Sequence, residues 1–309
     1  MHSKNVLNSP SSFLYSPDMR SSFALALVAV LARAALASTV TTPAGGERLA
    51  ANTHLVPEGG SVLHVDDSTV HVLDADNNVV KQVAVDQTTP VRPAEASKTQ
   101  SGVEPFKTGW ITFASWRNTG SSPIASFTTS WNVPPVPDAE DGQTVFLFNS
   151  IEPNSGHAIL QPVLQYGGSA AGGGKYWAVA SWYLVGNQTF HTKPIKVSTG
   201  DKLDGIITLT SSSGSSFNYV TSFTNIASTS LKATNAKELT WSTETLEAYH
   251  IKSIKDYPAG STVFSDINLK LANGNVPNVA WNHKNDTADG LSTKINTDGA
   301  KNAKITIKY

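Results

Sequence analysis

Three observations predict an all-β chain carrying a small β appendage at its N-terminus. From Gly109 onward, short runs of β-branched and aromatic residues alternate with Gly, Ser, Asn and Pro turns at roughly ten-residue spacing, the pattern of a sandwich or barrel. No stretch carries a helical period of useful length, and no internal repeat is visible. Charged residues are only 15% of the chain, below the usual quarter, while Ser, Thr, Asn and Gly are abundant, a surface common in exported β proteins.

The elements follow in order. Ser22 to Ala37 is an apolar run ending in the small-x-small triplet Ala35-Leu36-Ala37, with Arg20 just before it. This reads as a signal peptide over 1–37, and its best-proportioned start is Met19. Sixteen residues interrupted by Arg33 are short for a membrane span, so the expectation is a secreted, extracellular protein without a membrane anchor. The acceptor tripeptides beginning at Asn187 and Asn285 fit glycosylation on that route. With no cysteine, stability has to come from the core.

Residues 38–107 read as an acidic prosegment and linker, with five Lys or Arg against nine Asp or Glu in 39–107. A hairpin pairs Ser61–Val65 with Thr69–Leu73 across Asp66-Asp67, and a strand follows at Asn78–Val83. Thr88 to Lys107 is polar and proline-bearing, the composition of an exposed linker. The second reading of this segment is an accessory strand pair that stays attached. The main domain is then 108–309. Its clearest strands are Ile195–Val197, Leu203–Thr210, Phe217–Val220 and the alternating Ala303–Tyr309.

Two further strand-like segments carry the candidate chemistry, Gln161 in Ala158–Gln161 and Glu244 in Trp241–Glu244. An ionised Glu accepts a proton from water, and a carboxamide N–H₂ donates to the oxyanion formed in amide hydrolysis. By the two-residue period, Ile159, Gln161, Val163 and Gln165 share one face, and Ser242, Glu244 and Leu246 share another. Polar groups on these faces suggest a solvated concave surface, but the period does not say that the two faces are the same.

Other classes have less to stand on. A net charge of −1 gives no reason to expect nucleic acid or an anionic membrane as partner. The histidines lack metal-ligand spacing, so neither metal nor cofactor is expected. No Gly-x-Ser-x-Gly elbow supports a serine triad, and the glycines at 172–174 precede a strand rather than a helix. The seven tryptophans allow a sugar-stacking platform, so a non-catalytic, lectin-like carbohydrate binder is the alternative function. In the prosegment, His64 and His71 are candidates for an acid trigger.

At these residues the sequence resembles the fungal glutamic peptidases, the eqolisins. Ile159-Leu160-Gln161 is similar to their Ile-Leu-Gln motif, and Trp241-Ser242-Thr243-Glu244 matches their Trp-Ile-Val-Glu at its Trp and Glu. Between and around them, Trp131-Asn132-Val133-Pro134, Ser181-Trp182-Tyr183, Ser198-Thr199-Gly200-Asp201 and Phe264-Ser265-Asp266-Ile267 resemble family landmarks in the same order. The likeness spans about 109–270. It implies a concanavalin A-like antiparallel β-sandwich, secreted as a zymogen and acting as a monomeric endopeptidase on protein or peptide substrates in acid. Glu244 would be the general base and Gln161 the stabiliser of the tetrahedral intermediate. Around this pair, Gln165 on the strand face of Gln161 is a candidate substrate contact, Glu152 is a candidate second acid, and Trp182 and Trp241 are candidates either to wall the substrate cleft or to pack the core. The resemblance departs at Gln165 and Leu184, where the family carries carboxylates.

Overall fold

A computed structural model describes residues 1, 38–92, 106 and 108–309. The apolar run at 22–37 and most of the linker, 93–105 and 107, lie outside the described residues. Residues 39–309 form one compact unit. The N-terminal segment contributes β1 (Thr39–Thr42), β2 (Gly46–Leu49), β3 (Thr53–Leu55), β4 (Ser61–His64), β5 (Thr69–Leu73) and β6 (Val79–Ala84). Beyond the linker come β7 (Gly109–Arg117), β8 (Ile124–Asn132), β9 (Thr144–Glu152), β10 (Ala158–Ser169), β11 (Gly172–Val185), β12 (Gln188–His191) and β13 (Ile195–Lys196). The rest are β14 (Lys202–Ser213), β15 (Ser216–Phe223), β16 (Leu231–Ala236), β17 (Trp241–Tyr249), β18 (Ser261–Leu271), β19 (Asn282–Lys284), β20 (Ser292–Thr297) and β21 (Ala303–Lys308).

These strands make two large sheets packed as a sandwich, as the alternating pattern predicts. One runs β19-β7-β17-β9-β10-β11-β12-β3, with β13 also on β11; the other runs β20-β21-β18-β8-β14-β15-β16-β4-β5-β6. Between them lies a continuous apolar core that includes Trp131, Phe127, Phe264, Trp177, Tyr183 and Leu246. Each such side chain withdrawn from water is worth about 1.5–3 kcal/mol, which is what holds the sheets together in the absence of disulfides.

The N-terminal strands are built into both sheets. β3 pairs in parallel with β12, and β4 pairs in parallel with β16, so the segment extends the two sheets from their edges. The β1–β2 hairpin instead forms a separate two-stranded unit. It lies on the outer face of the first sheet, where Ala44 joins a second apolar cluster with Phe146, Phe148, Ile159, Val163, Trp182, Leu184 and Tyr249. This explains the burial of the central strands. β15 alternates half-buried and buried residues throughout, whereas every residue of β9 is buried, because one face meets the other sheet and the opposite face meets the hairpin.

Candidate active site

β17 carries two glutamates three residues apart, and a strand turns such residues to opposite faces. Glu244 faces the other sheet, where Thr129 of β8 donates its hydroxyl to Oε1. Its Oε2 has no hydrogen-bond partner among the described residues. Burial holds its pKa well above the ordinary carboxylate value. Its strand neighbour Asn149 lies inside as well, with Oδ1 only 2.6 Å from where a Cβ on Gly205 of the facing sheet would sit. The expected pairing of Gln161 with Glu244 therefore does not form. The two side chains lie on opposite faces of one sheet, because the face that carries Leu246 and Ala248 is the one the sandwich buries.

Glu247 takes the outer face, under the β1–β2 hairpin, together with Trp241, Thr243, Thr245 and Tyr249. It is fully buried, and burial raises its pKa to about 8. The Tyr249 hydroxyl donates to its Oε1. The backbone N–H of Ala44, at the tip of the β1–β2 hairpin, donates to its Oε2 at 2.7 Å. The preceding carbonyl, that of Pro43, accepts from Gln161 Nε2 at 3.4 Å. One peptide unit, Pro43–Ala44, is thus held at its oxygen by a carboxamide and at its nitrogen by a carboxyl group. Pro43, Ala44, Gln161 and Glu247 are all buried, so solvent does not reach this bond. Gln161 Oε1 and Trp182 Nε1 have no hydrogen-bond partner among the described residues, an arrangement that costs about 1–3 kcal/mol per group in a purely structural site.

Close packing holds the hairpin in place. A Cβ on Gly45 would stand 2.2 Å from Arg48 Nε and 2.8 Å from Leu184 Cδ2, so only glycine fits there. Ala44 takes a left-handed φ of 63°, unfavourable for alanine and held by the surrounding contacts. Arg48 is buried and donates to the carbonyls of Gly186, Gln188 and Val91 at 2.9, 3.2 and 3.0 Å. Burial lowers its pKa only to about 10, so it enters the structure as a cation.

The other expected cleft residues divide. Glu152 is buried on the same outer face, beside Trp241 in the sheet, and Arg92 Nε lies 3.0 Å from its Oε1. Burial raises Glu152 to about 7 despite the lowering effect of Arg92. Trp182 is buried in the outer cluster against His191, with ring centroids 5.0 Å apart. Trp241 lies beside Trp110, half-buried, on the same face. Gln165 also faces this way, but its Nε2 donates to the carbonyls of Gly167 and Gly172, and its Oε1 accepts from Ser169. It clamps the glycine-rich β10–β11 turn and has no free group to offer a substrate. Of the two acceptor asparagines, Asn285 is exposed, whereas Asn187 is half-buried and accepts from the Asp86 N–H at 2.9 Å.

Sequence reasoning had Trp110 only among the seven tryptophans of a sugar-stacking platform and Glu247 only as a carboxyl on the strand face opposite Glu244, and it missed Tyr249 and Arg92. For Glu247 a signal was present, because Leu246 and Ala248 mark its opposite face as the apolar one. No group of three His, Asp or Glu among the described residues could hold a metal ion.

No protein-family model matches the chain, and no curated protein does. Among solved structures, a scytalidoglutamic peptidase with a peptide-based transition-state analogue is similar at 13% identity and a TM-score of 0.45. That likeness covers 66% of this chain and 98% of that one. The eqolisin SCP-B in complex with the tripeptide Ala-Ile-His is similar at 14% identity and a TM-score of 0.42, with the same coverage. A CBM2 module from the evolved Dit of Lactobacillus casei BL23 phage J-1 follows at 10% identity and 0.30, covering 45% and 61%. Likenesses this distant carry no inference about activity.

Proposed function

We propose that this chain is a secreted peptidase of glutamic type, working in acidic medium, with Glu247 and Gln161 as its reacting pair and residues 38–107 as an inhibitory prosegment. The observation that carries this reading is the Pro43–Ala44 peptide unit, held by the two groups that amide hydrolysis needs. With the hairpin withdrawn and a substrate chain in its place, Glu247 takes a proton from water as the water oxygen bonds to the substrate carbonyl carbon. Gln161 Nε2 donates to the oxygen that becomes negative. Glu247 then returns the proton to the leaving nitrogen, near the position the Ala44 nitrogen occupies in the closed form, and the C–N bond breaks. One such oxyanion donor is worth about 3 kcal/mol of barrier.

Occlusion and acidity fit together. Under the hairpin Glu247 is desolvated and holds its proton up to about pH 8, which makes it useless as a base. Exposure of the cleft removes the desolvation that raises it and returns the carboxyl toward the ordinary range, where it ionises in mildly acidic medium. Tyr249 orients the carboxylate from its other oxygen.

The test is cleavage of a denatured protein in acidic buffers by the wild-type chain and by Glu247→Gln, Gln161→Ala and Glu244→Gln. Loss of cleavage in the first two with retention in the third supports the assignment. Equal loss in Glu244→Gln, or full activity in Glu247→Gln, refutes it.

A further inference from the structure

Arg92 is held in a way that suits a guest side chain as well as a resident one. Its guanidinium carbon lies 4.9 Å from the ring centroid of Trp110 and 4.5 Å from that of Trp241, two indoles only 14° from parallel. Its Nε lies 3.0 Å from Glu152 Oε1 and donates to Oε2 at 3.2 Å. The two parts of this cage belong to the sandwich, on β7, β9 and β17, whereas the cation comes from the N-terminal segment. Glu152 is fully buried, and a buried carboxylate without a counter-charge is costly. Arg117 also lies near, 5.5 Å from the Trp241 ring, but it is exposed and hydrogen-bonded to Asn154. Ile151 pairs with Leu160 across β9 and β10, and continuing that register by one residue sets Glu152 level with Ile159, one same-face position from Gln161, about 7 Å along the strand.

We propose that the Trp110–Trp241–Glu152 cage is a specificity subsite for an arginyl side chain of the bound peptide, occupied in the closed chain by Arg92 as a stand-in. It rests on the reading of this cleft as peptide-binding. The planar guanidinium is the group that stacks on an indole face and pairs with a carboxylate at the same time, so arginine is preferred over lysine and over any neutral residue. Release of the segment that carries Arg92 uncovers Glu152, returns its carboxyl toward the ordinary range, and leaves that carboxylate and both ring faces to be satisfied by the substrate, at a fixed position a few residues from the cut.

The test uses the full chain with Arg92→Ala and two probes, N-acetyl-argininamide and its neutral isostere N-acetyl-citrullinamide, read by tryptophan fluorescence. The arginine probe gives a saturable change in Arg92→Ala, about tenfold tighter than the citrulline probe. It gives none in the wild type, where Arg92 fills the cage, and none in Arg92→Ala combined with Glu152→Gln. No saturation in Arg92→Ala, or equal response to both probes, overturns the proposal. Should Arg92→Ala not fold, the cleavage sites left in a denatured protein by wild type and Glu152→Gln decide. Arginine enriched at one position in the wild type and lost in the variant supports the subsite, and an unchanged profile overturns it. Failure of the peptidase reading looks different, as no cleavage by any variant, and leaves the fluorescence titration still able to read the cage.

Discussion

Replacing Glu247 by Gln keeps the shape of a protonated carboxyl group but removes its ability to ionise, and this separates two consequences of the site. In the closed chain burial raises Glu247 from an ordinary 4.5 to about 8. A carboxyl whose folded value lies above its unfolded value stabilises the fold fully below about pH 4.5, and that contribution is lost as pH rises toward about 8. Between about pH 5 and about pH 8 the loss works out to roughly 3.5 kcal/mol, on the order of 10 °C in unfolding temperature for a unit of this size. Glu152, raised to about 7, adds to the charge felt by Glu247, so the two titrate as a pair. Thermal unfolding of the full chain at the two pH values is the measurement. Glu247→Gln should lose markedly less stability on going to the higher pH than the wild type does. Parallel losses in the two proteins would show that Glu247 is not a desolvated, hairpin-covered carboxyl, and the reasoning would fail with it.

Glu244→Gln, between the sheets, should leave cleavage near the wild-type rate, whereas Gln161→Ala should lower kcat by about 10²–10³ as an oxyanion donor is lost, both read on a denatured protein substrate. Gly45→Val pushes a side chain into Leu184 and Arg48, displaces the hairpin at a cost of about 1–3 kcal/mol, and should raise cleavage by the unprocessed chain about tenfold. His64, at the junction of the N-terminal segment with the sandwich, contacts Tyr183 OH at 2.7 Å. Burial lowers it from 6.5 to about 4, with Lys237 lowering it further and Asp67 opposing. Its stabilising effect is present above about pH 6.5 and lost as pH falls toward about 4, so His64→Gln should flatten acid destabilisation by about 3 kcal/mol in urea unfolding. An unchanged acid limb would remove His64 as a contributor to acid release.

The strand pattern was largely legible. The hairpin read at Ser61–Val65 and Thr69–Leu73 appears as β4 and β5, and the alternating end of the chain is β21. Local rules account for this, since β-branched runs and turn residues act over a few positions. Joining β3 and β4 to both sheets was not legible, because a parallel pairing such as Thr53 with Thr189 leaves no local mark.

The site divides in the same way. Sequence alone determined that Gln161 and Gln165 share a face and that Glu244 and Glu247 do not, because a strand's side chains alternate whatever surrounds them. Which of the two glutamates meets Gln161 was decided only by the tertiary structure, when the second sheet packed over Leu246 and Ala248 and turned Glu244 inward to Thr129. The same holds for the Ala44 N–H on Glu247, a contact between residues 203 positions apart. Periodicity is a property of the backbone, whereas the identity of the buried face depends on what the rest of the chain lays against it.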